Sequence, residues 1–287
     1  MRETVISYAF LAPVLFFFVI FVLAPMVMGF ITSFFNYSMT KFEFVGLDNY
    51  IRMFKDPVFT KSLINTVILV IGSVPVVVLF SLFVASQTYH QNVIARSFYR
   101  FFFLPVVTGS VAVTVVWKWI YDPLSGILNF VLKSSHIISQ NISWLGDKNW
   151  ALMAIMIILL TTSVGQPIIL YIAAMGNIDN SLVEAARVDG ATEFQVFWKI
   201  KWPSLLPTTL YIAIITTINS FQCFALIQLL TSGGPNYSTS TLMYYLYEKA
   251  FQLTEYGYAN TIGVFLAVMI AIVSFVQFKV LGNDVEY

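Results

Sequence analysis

Charge is what this chain has least of. Asp, Glu, Lys and Arg make up 10% of its 287 residues, against roughly 25% in a soluble domain. Hydrophobic residues reach 59%, an apolar excess that needs lipid as its solvent. Cysteine is almost missing. Cys223 stands alone, which excludes an internal disulfide, and its place inside an apolar run argues against a zinc site. His90 and His136 are isolated, so no metal or cofactor is expected. No basic, aromatic-laced patch points to nucleic acid.

Further absences narrow the function classes. No long apolar run carries Asp, Glu, Lys or Arg near its centre. Ion- or proton-coupled transporters place ionisable groups there, so the energy for any transport is expected from elsewhere. There is no Gly-x-x-x-x-Gly-Lys-Ser/Thr phosphate loop, so the chain is not expected to hydrolyse ATP itself. There is no Ser/His/Asp or Cys/His set and no His-Glu-x-x-His pattern, so it does not read as an enzyme.

Six apolar runs are present, at about 5–35, 63–87, 101–120, 151–176, 205–230 and 257–278. Each is long enough for a crossing of about 20 residues, and six crossings put both termini on one side. The first run lacks a short core ending in a small-residue cleavage site and reads as retained. Counting Lys and Arg with the termini inside gives seven inner against eight outer charges, and the inner segments are shorter. Charge density therefore favours termini inside. Trp117, Trp119, Tyr121, Trp144 and Trp150 flank the third break and read as interfacial anchors.

Uncharged polar groups do occur at depth. Thr161, Thr162, Ser163 and Gln166 precede Pro167, and Thr216, Thr217, Asn219, Ser220 and Gln222 sit in the fifth run. An amide in hydrocarbon costs about 2–7 kcal/mol unless paired. Such groups either bond across helices or line a wet cavity. Asn219 and Gln222 are one turn apart, which puts two amides on one face beside Ser220. Amides and aromatics suit a neutral, hydroxyl-rich ligand better than an ion. Pro167, two residues after Gly165, frees carbonyls and allows a kink.

The polar break at 177–204 is the most informative segment. Ser181-Leu182-Val183-Glu184 fits a capping box, Ser181 capping and Glu184 reaching back. Gly190 is expected to stop the helix in a left-handed turn. Thr192 or Glu193 starts a second short helix, with Phe194, Phe197 and Ile200 on one face and Pro203 ending it. Two short helices at a sharp angle can lie on the lipid as a linker, or serve as a docking element.

Glu184-Ala185-Ala186, then Asp189-Gly190-Ala191, then Phe197, Ile200, Pro203 and Pro207 resembles the EAA loop of ABC importer permeases. Three further segments narrow the likeness to the maltose- and glycerol-phosphate-type first permease subunit: 44–50, the turn Leu230–Pro235, and Tyr244-Tyr245 through Ala259. Ser232 often has Gly as its counterpart there. The extra N-terminal helices and large external domain of the maltose subunit have no counterpart here. The resemblance implies an all-α integral membrane protein of six transmembrane helices, the type I ABC importer permease fold, with a cytoplasmic coupling helix between helices 4 and 5. It divides the chain into a first helix with its external segment (1–62), a transmembrane domain (63–281) with the loop at 177–204, and a cytoplasmic tail (282–287).

The same likeness implies roles and partners. Glu184, Ala185, Ala186, Asp189, Gly190 and Ala191 would couple to the ATPase. By motif alignment, sugar contacts fall near Thr161, Gly165, Ile168, Ser220, Gln222 and Cys223, with Gln166 and Asn219 added from the polar pattern. Gly233, Gly234, Pro235, Asn236 and Tyr237 would meet an external, extracellular or periplasmic sugar-binding protein. A second homologous permease, two cytoplasmic ATPase subunits and the bilayer of a bacterial cytoplasmic membrane complete the expected assembly. The cargo is expected to be a sugar, most simply an oligosaccharide. The rivals are a permease for glycerol-3-phosphate or another solute and, from other classes, a secondary transporter or channel, or a membrane scaffold.

Overall fold

A computed structural model describes residues 2–89 and 110–282. Among these, five helices are long and apolar enough to cross a membrane: Phe10–Thr32, Pro57–Tyr89, Ala151–Gly176, Glu193–Leu230 and Tyr256–Leu281. Val111–Ile120 is a shorter apolar helix. The rest of the third predicted crossing lies outside the described residues, as do His90, Arg96 and Arg100. The chain divides into two compact units.

One unit holds the residues up to Thr60 together with Tyr245–Val268. It begins with α1 (Arg2–Phe18), a π-helical turn at Val19–Leu23 and α2 (Ala24–Thr32). No part of the most apolar stretch of this first span is buried within the chain. The antiparallel strands β1 (Phe35–Tyr37) and β2 (Phe42–Phe44) follow, then α3 (Asp48–Lys55). Buried Asn49 ties this turn together by donating to the carbonyls of Ser33 and Phe35, both at 2.9 Å. Asp56 ends α3 and caps α4 (Pro57–Tyr89), accepting from the Val58 amide at 2.9 Å. Proline at the first helical position costs nothing there, because its missing N–H would have no partner.

The other unit holds Lys61–Tyr244 and the residues from Met269. Beyond α4 it contains α5 (Ser110–Ile120), α6 (Ile127–Ser134), α7 (Ala151–Ser163) and α8 (Gly165–Gly176). Then come α9 (Asn180–Val188), α10 (Glu193–Val196), a π turn at Phe197–Lys201, α11 (Trp202–Phe221) and α12 (Ala225–Leu230). The chain closes through α13 (Leu242–Tyr247), a π turn at Glu248–Gln252 and α14 (Tyr256–Leu281). One core of this unit gathers Val77, Ile168, Tyr171, Leu205 and Ile212; another gathers Tyr121, Ile155, Ile158, Ile227 and Tyr244. Hydroxyls pair across helices where lipid offers no partner. Ser73 meets Ser220 at 2.8 Å, and Tyr171 donates to Thr209 at 3.1 Å.

Where Gly165–Pro167 leads one to expect a kink, the helix is interrupted at Val164, between α7 and α8. Pro167 has no N–H to give to the ladder. The bond lost is the one to the Ser163 carbonyl. The next carbonyl, that of Val164, keeps its ordinary bond from the Ile168 amide and accepts a second from Ser81 Oγ, both at 3.2 Å. The tryptophan anchors need one correction. Trp117, Tyr121, Trp144 and Trp150 pack ring against ring, with centroids 5.0, 6.2 and 5.5 Å apart. Tyr121 is buried, and Trp144 Nε1 donates to Asn129 Oδ1 at 2.9 Å. These rings build a folded cap, and Trp119 and Trp150 are the tryptophans of this set that stay exposed as anchors.

Candidate functional site: a surface helix and a mid-span polar groove

The break between α8 and α11 forms the two short helices expected, with two differences. Asp179, and not Ser181, caps α9: its Oδ1 accepts from the Ser181 amide at 2.8 Å. That hydrogen bond holds the Asp179 carboxyl below its ordinary pKa. Ser181 lies inside the helix, so Ser181-x-x-Glu184 makes no capping box. The box forms one helix later. Thr192 Oγ1 accepts from the Gln195 amide, and Gln195 Oε1 accepts from the Thr192 amide at 2.8 Å.

The end of α9 matches its sequence reading. Gly190 has φ +84°. Its N–H meets the Arg187 carbonyl at 3.1 Å, and the Ala191 N–H meets the Ala186 carbonyl at 2.9 Å. This is a Schellman closure, which glycine adopts without strain. The second difference is Pro203, which does not end a helix. The Trp202 N–H reaches back five residues to the Phe197 carbonyl. The wider turn shifts the ladder just ahead of the proline, and the helix runs on. The turn also splits the expected apolar face. Val196 is buried and Phe197 and Ile200 are half-buried, whereas Phe194 is exposed and packs on Trp198.

The result is an outward-facing platform. Glu184, Ala185, Asp189 and Gly190 are exposed, and Ala186 and Ala191 are half-buried. Leu182 is 57% and Val188 87% exposed, while Val183 alone anchors α9 inward. Arg187 bridges the two short helices through Nε to Glu193 Oε1 at 2.7 Å. That hydrogen bond raises the Arg187 pKa further.

The mid-span candidates separate into two groups. Gln166 and Asn219 face one cavity of about 110 Å³, together with Thr162, Ser163, Thr216 and Tyr211. Gln222 is exposed just past the end of α11. By contrast, Ile168, Ser220 and Cys223 are buried between helices of this same chain. Gly165 is buried, and half-buried Thr161 bonds back to the Ile158 carbonyl at 2.8 Å. Tyr211 was missed by sequence reasoning. Its signal was its spacing, since residues 211, 215 and 219 stack on one helical face.

The segment 233–237 is held in place by α4. Lys61 Nζ donates to the Asn236 carbonyl at 2.6 Å, and Asn65 Nδ2 to the Tyr237 carbonyl at 3.0 Å. Ser62 and Ser240 meet at 2.8 Å below it. Asn236 is exposed, Gly234, Pro235 and Tyr237 are half-buried, and Gly233 is buried.

Residues 50–281 match the family described as "Binding-protein-dependent transport system inner membrane component". The chain belongs to this family. Among its relatives, the lactose transport system permease protein LacF of Rhizobium radiobacter is 33% identical over 276 residues, covering 95% of this chain and 92% of that one. The diacetylchitobiose uptake system permease protein NgcF of Streptomyces coelicolor is 34% identical over 287 residues, covering 95% and 81%. A chain of a bacterial alginate ABC transporter, crystallised in complex with an alginate pentasaccharide-bound periplasmic protein, superposes with a TM-score of 0.80 at 24% identity. That match covers 97% of this chain and 94% of the other. The fold is therefore that of ABC importer permeases, and this binding-protein-dependent transport component is a multi-pass membrane protein.

Proposed function

We propose that this chain is one of two homologous permease subunits of a bacterial ABC importer whose cargo is a sugar, most simply an oligosaccharide. The observation that carries the reading is the α9 platform. Its Glu184-Ala185-Ala186 and Asp189-Gly190-Ala191 stretches lie at the surface, and the exposed apolar side chains of Leu182 and Val188 leave α9 ready to dock. In this reading the platform is cytoplasmic, as are the termini, and two ATPase subunits receive it and its counterpart on the partner permease. ATP binding closes the ATPases, the paired helices move together, and the cavity turns outward; hydrolysis resets it. An external binding protein delivers cargo near Gly233–Tyr237.

The groove supports a neutral cargo. Thr162, Ser163, Gln166, Asn219 and Tyr211 offer hydroxyls, amides and a ring, and no described residue lining it is basic. A phosphate ester would favour Arg or Lys there. The relatives' names point the same way, toward lactose and diacetylchitobiose. Uptake of labelled mono- and oligosaccharides tests the reading, in cells with and without this chain and with the partner genes intact. Selective loss of one oligosaccharide is expected. Unchanged uptake of every sugar overturns the cargo.

A further inference from the structure

Behind the platform lies a cavity of about 210 Å³ that the transport cycle above leaves without a role. Its floor is apolar, formed by Met175 from the end of α8, Val183 from the inward face of α9 and Phe197 from the π turn. Its polar lining includes Ser86 near the end of α4, Arg187 and Lys201. No described lining residue is acidic. Arg187 spends its Nε on Glu193. Half-buried Lys201 has no ion-pair partner among the described residues. Two basic side chains line the cavity beside its apolar floor and no described acidic residue lines it with them, so its charge suits an anion.

Its depth says which kind. The spans ending at Tyr89 and Gly176 finish here, and Trp202 opens the apolar part of the next. Trp198 and Trp202 pack 5.7 Å apart beside it, as aromatic rings do at headgroup level. Basic pockets between helices at this level suit anionic headgroups. We propose that the cavity binds the phosphodiester of an anionic phospholipid, with Lys201 and Arg187 on the phosphate and the glycerol on the apolar floor.

The test uses the whole transporter, purified with its partner subunits and reconstituted in nanodiscs of equal phosphatidylcholine and phosphatidylglycerol. Retained lipid is read by native mass spectrometry. Wild type should keep phosphatidylglycerol in preference. Lys201→Gln should cut retention about five-fold, the factor matching about 1 kcal/mol per basic residue near an anionic surface. Ser86→Phe, which fills the cavity without changing charge, should also cut it. Exposed Lys199 makes the control, and Lys199→Gln should change nothing. Equal loss in Lys199→Gln and Lys201→Gln means diffuse surface attraction and overturns the proposal. So does equal retention of the two lipids. Displacement of phosphatidylglycerol by inorganic phosphate assigns the cavity to a soluble phosphate and overturns the lipid.

Discussion

The Tyr258 hydroxyl donates to Asp56 Oδ2 at 2.7 Å, on the carboxylate whose other oxygen caps α4. Tyr245 donates to the same Oδ2. Arg52 lies 4.4 Å over the Tyr258 ring and pairs with Glu255 at 2.7 Å. One carboxylate thus joins the start of α4, the end of α13 and the start of α14. Partial burial works to raise the Asp56 pKa, but the donors from Tyr245, Tyr258, Val58 and Phe59 outweigh it and hold the group below its ordinary range. Folded below unfolded means this stabilisation is complete above the unfolded value near 3.9 and is lost as pH falls through the folded one. Asp56→Asn should cost about 1–3 kcal/mol, because an amide cannot accept all four donors. Thermal melts in detergent should show a lower Tm for the variant at neutral pH. The gap to wild type should narrow as the carboxylate range is crossed.

Two glycines make contrasting predictions. A Cβ on Gly257 would sit 2.0 Å from the Phe35 carbonyl oxygen, which is backbone held by Asn49. A Cβ on Gly72 would meet the end of the Met156 side chain at 2.6 Å. Methionine can re-aim its thioether, and a carbonyl tied into a strand cannot. Gly257→Ala should therefore cost about 1–3 kcal/mol or prevent folding. Gly72→Ala should fold, with a smaller loss of Tm. Similar losses in both would mean that α4 and α7 are as rigidly spaced as the hairpin and α14.

What could be read from the sequence depends on how locally each feature is decided. The left-handed turn at Gly190 needs only the glycine and the helix before it, so it was legible. The cap of α9 was not, because Asp179 and Ser181 both have capping side chains and the Ser181-x-x-Glu184 spacing favoured the wrong one. Pro203 shows a rule overruled by context. Proline disfavours helix in the residue before it, but a π turn, which has no sequence signature, absorbs the misfit. The mid-span residues divide for a further reason. Polarity at depth marked Gln166, Asn219 and Ser220 alike. Ser220 turns inward because its partner is Ser73, 147 positions away, and nothing near residue 220 encodes that.

Glu184 is exposed on α9, and among the described residues no hydrogen bond or salt bridge holds it; its charge acts on Arg187, three residues on. Glu184→Lys should leave expression and Tm unchanged, because a surface charge is worth about 0.5 kcal/mol or less to the fold. Co-purification of the ATPase subunits and substrate-stimulated ATPase activity should both fall. Normal co-purification with full stimulation would remove Glu184 from the docking contact.

Gly190→Ala probes the turn and not a contact, since nothing lies within 4 Å of an added Cβ. The cost is conformational, about 1–2 kcal/mol for an L-residue in the left-handed region. The end of α9 should fray and ATPase docking should weaken, while the rest of the bundle keeps its Tm. Gly190→Asn should recover part of the loss, because asparagine tolerates this conformation. Equal behaviour of the two variants would show that close approach of a partner, and not the backbone angle, is what the glycine serves.

The last prediction separates groove residues from packing residues. Gln166 and Asn219 present amides to the same cavity as Tyr211, so each can bond a cargo hydroxyl as it passes. Gln166→Leu or Asn219→Leu should remove about 1 kcal/mol of such bonding. That is a several-fold rise in the apparent KM for uptake, with basal ATPase activity retained. Ser220→Ala should do the reverse. It leaves Ser73 Oγ without its partner between α4 and α11, so it should lower Tm and affect all cargoes alike. Uptake of two oligosaccharides of different length, measured beside thermal melts of each variant, reads both effects at once. If Ser220→Ala shifts cargo preference at unchanged Tm, the path runs deeper between α4 and α11 than the open groove. If Gln166→Leu and Asn219→Leu lower Tm and spare preference, their amides serve packing and the groove is not the path.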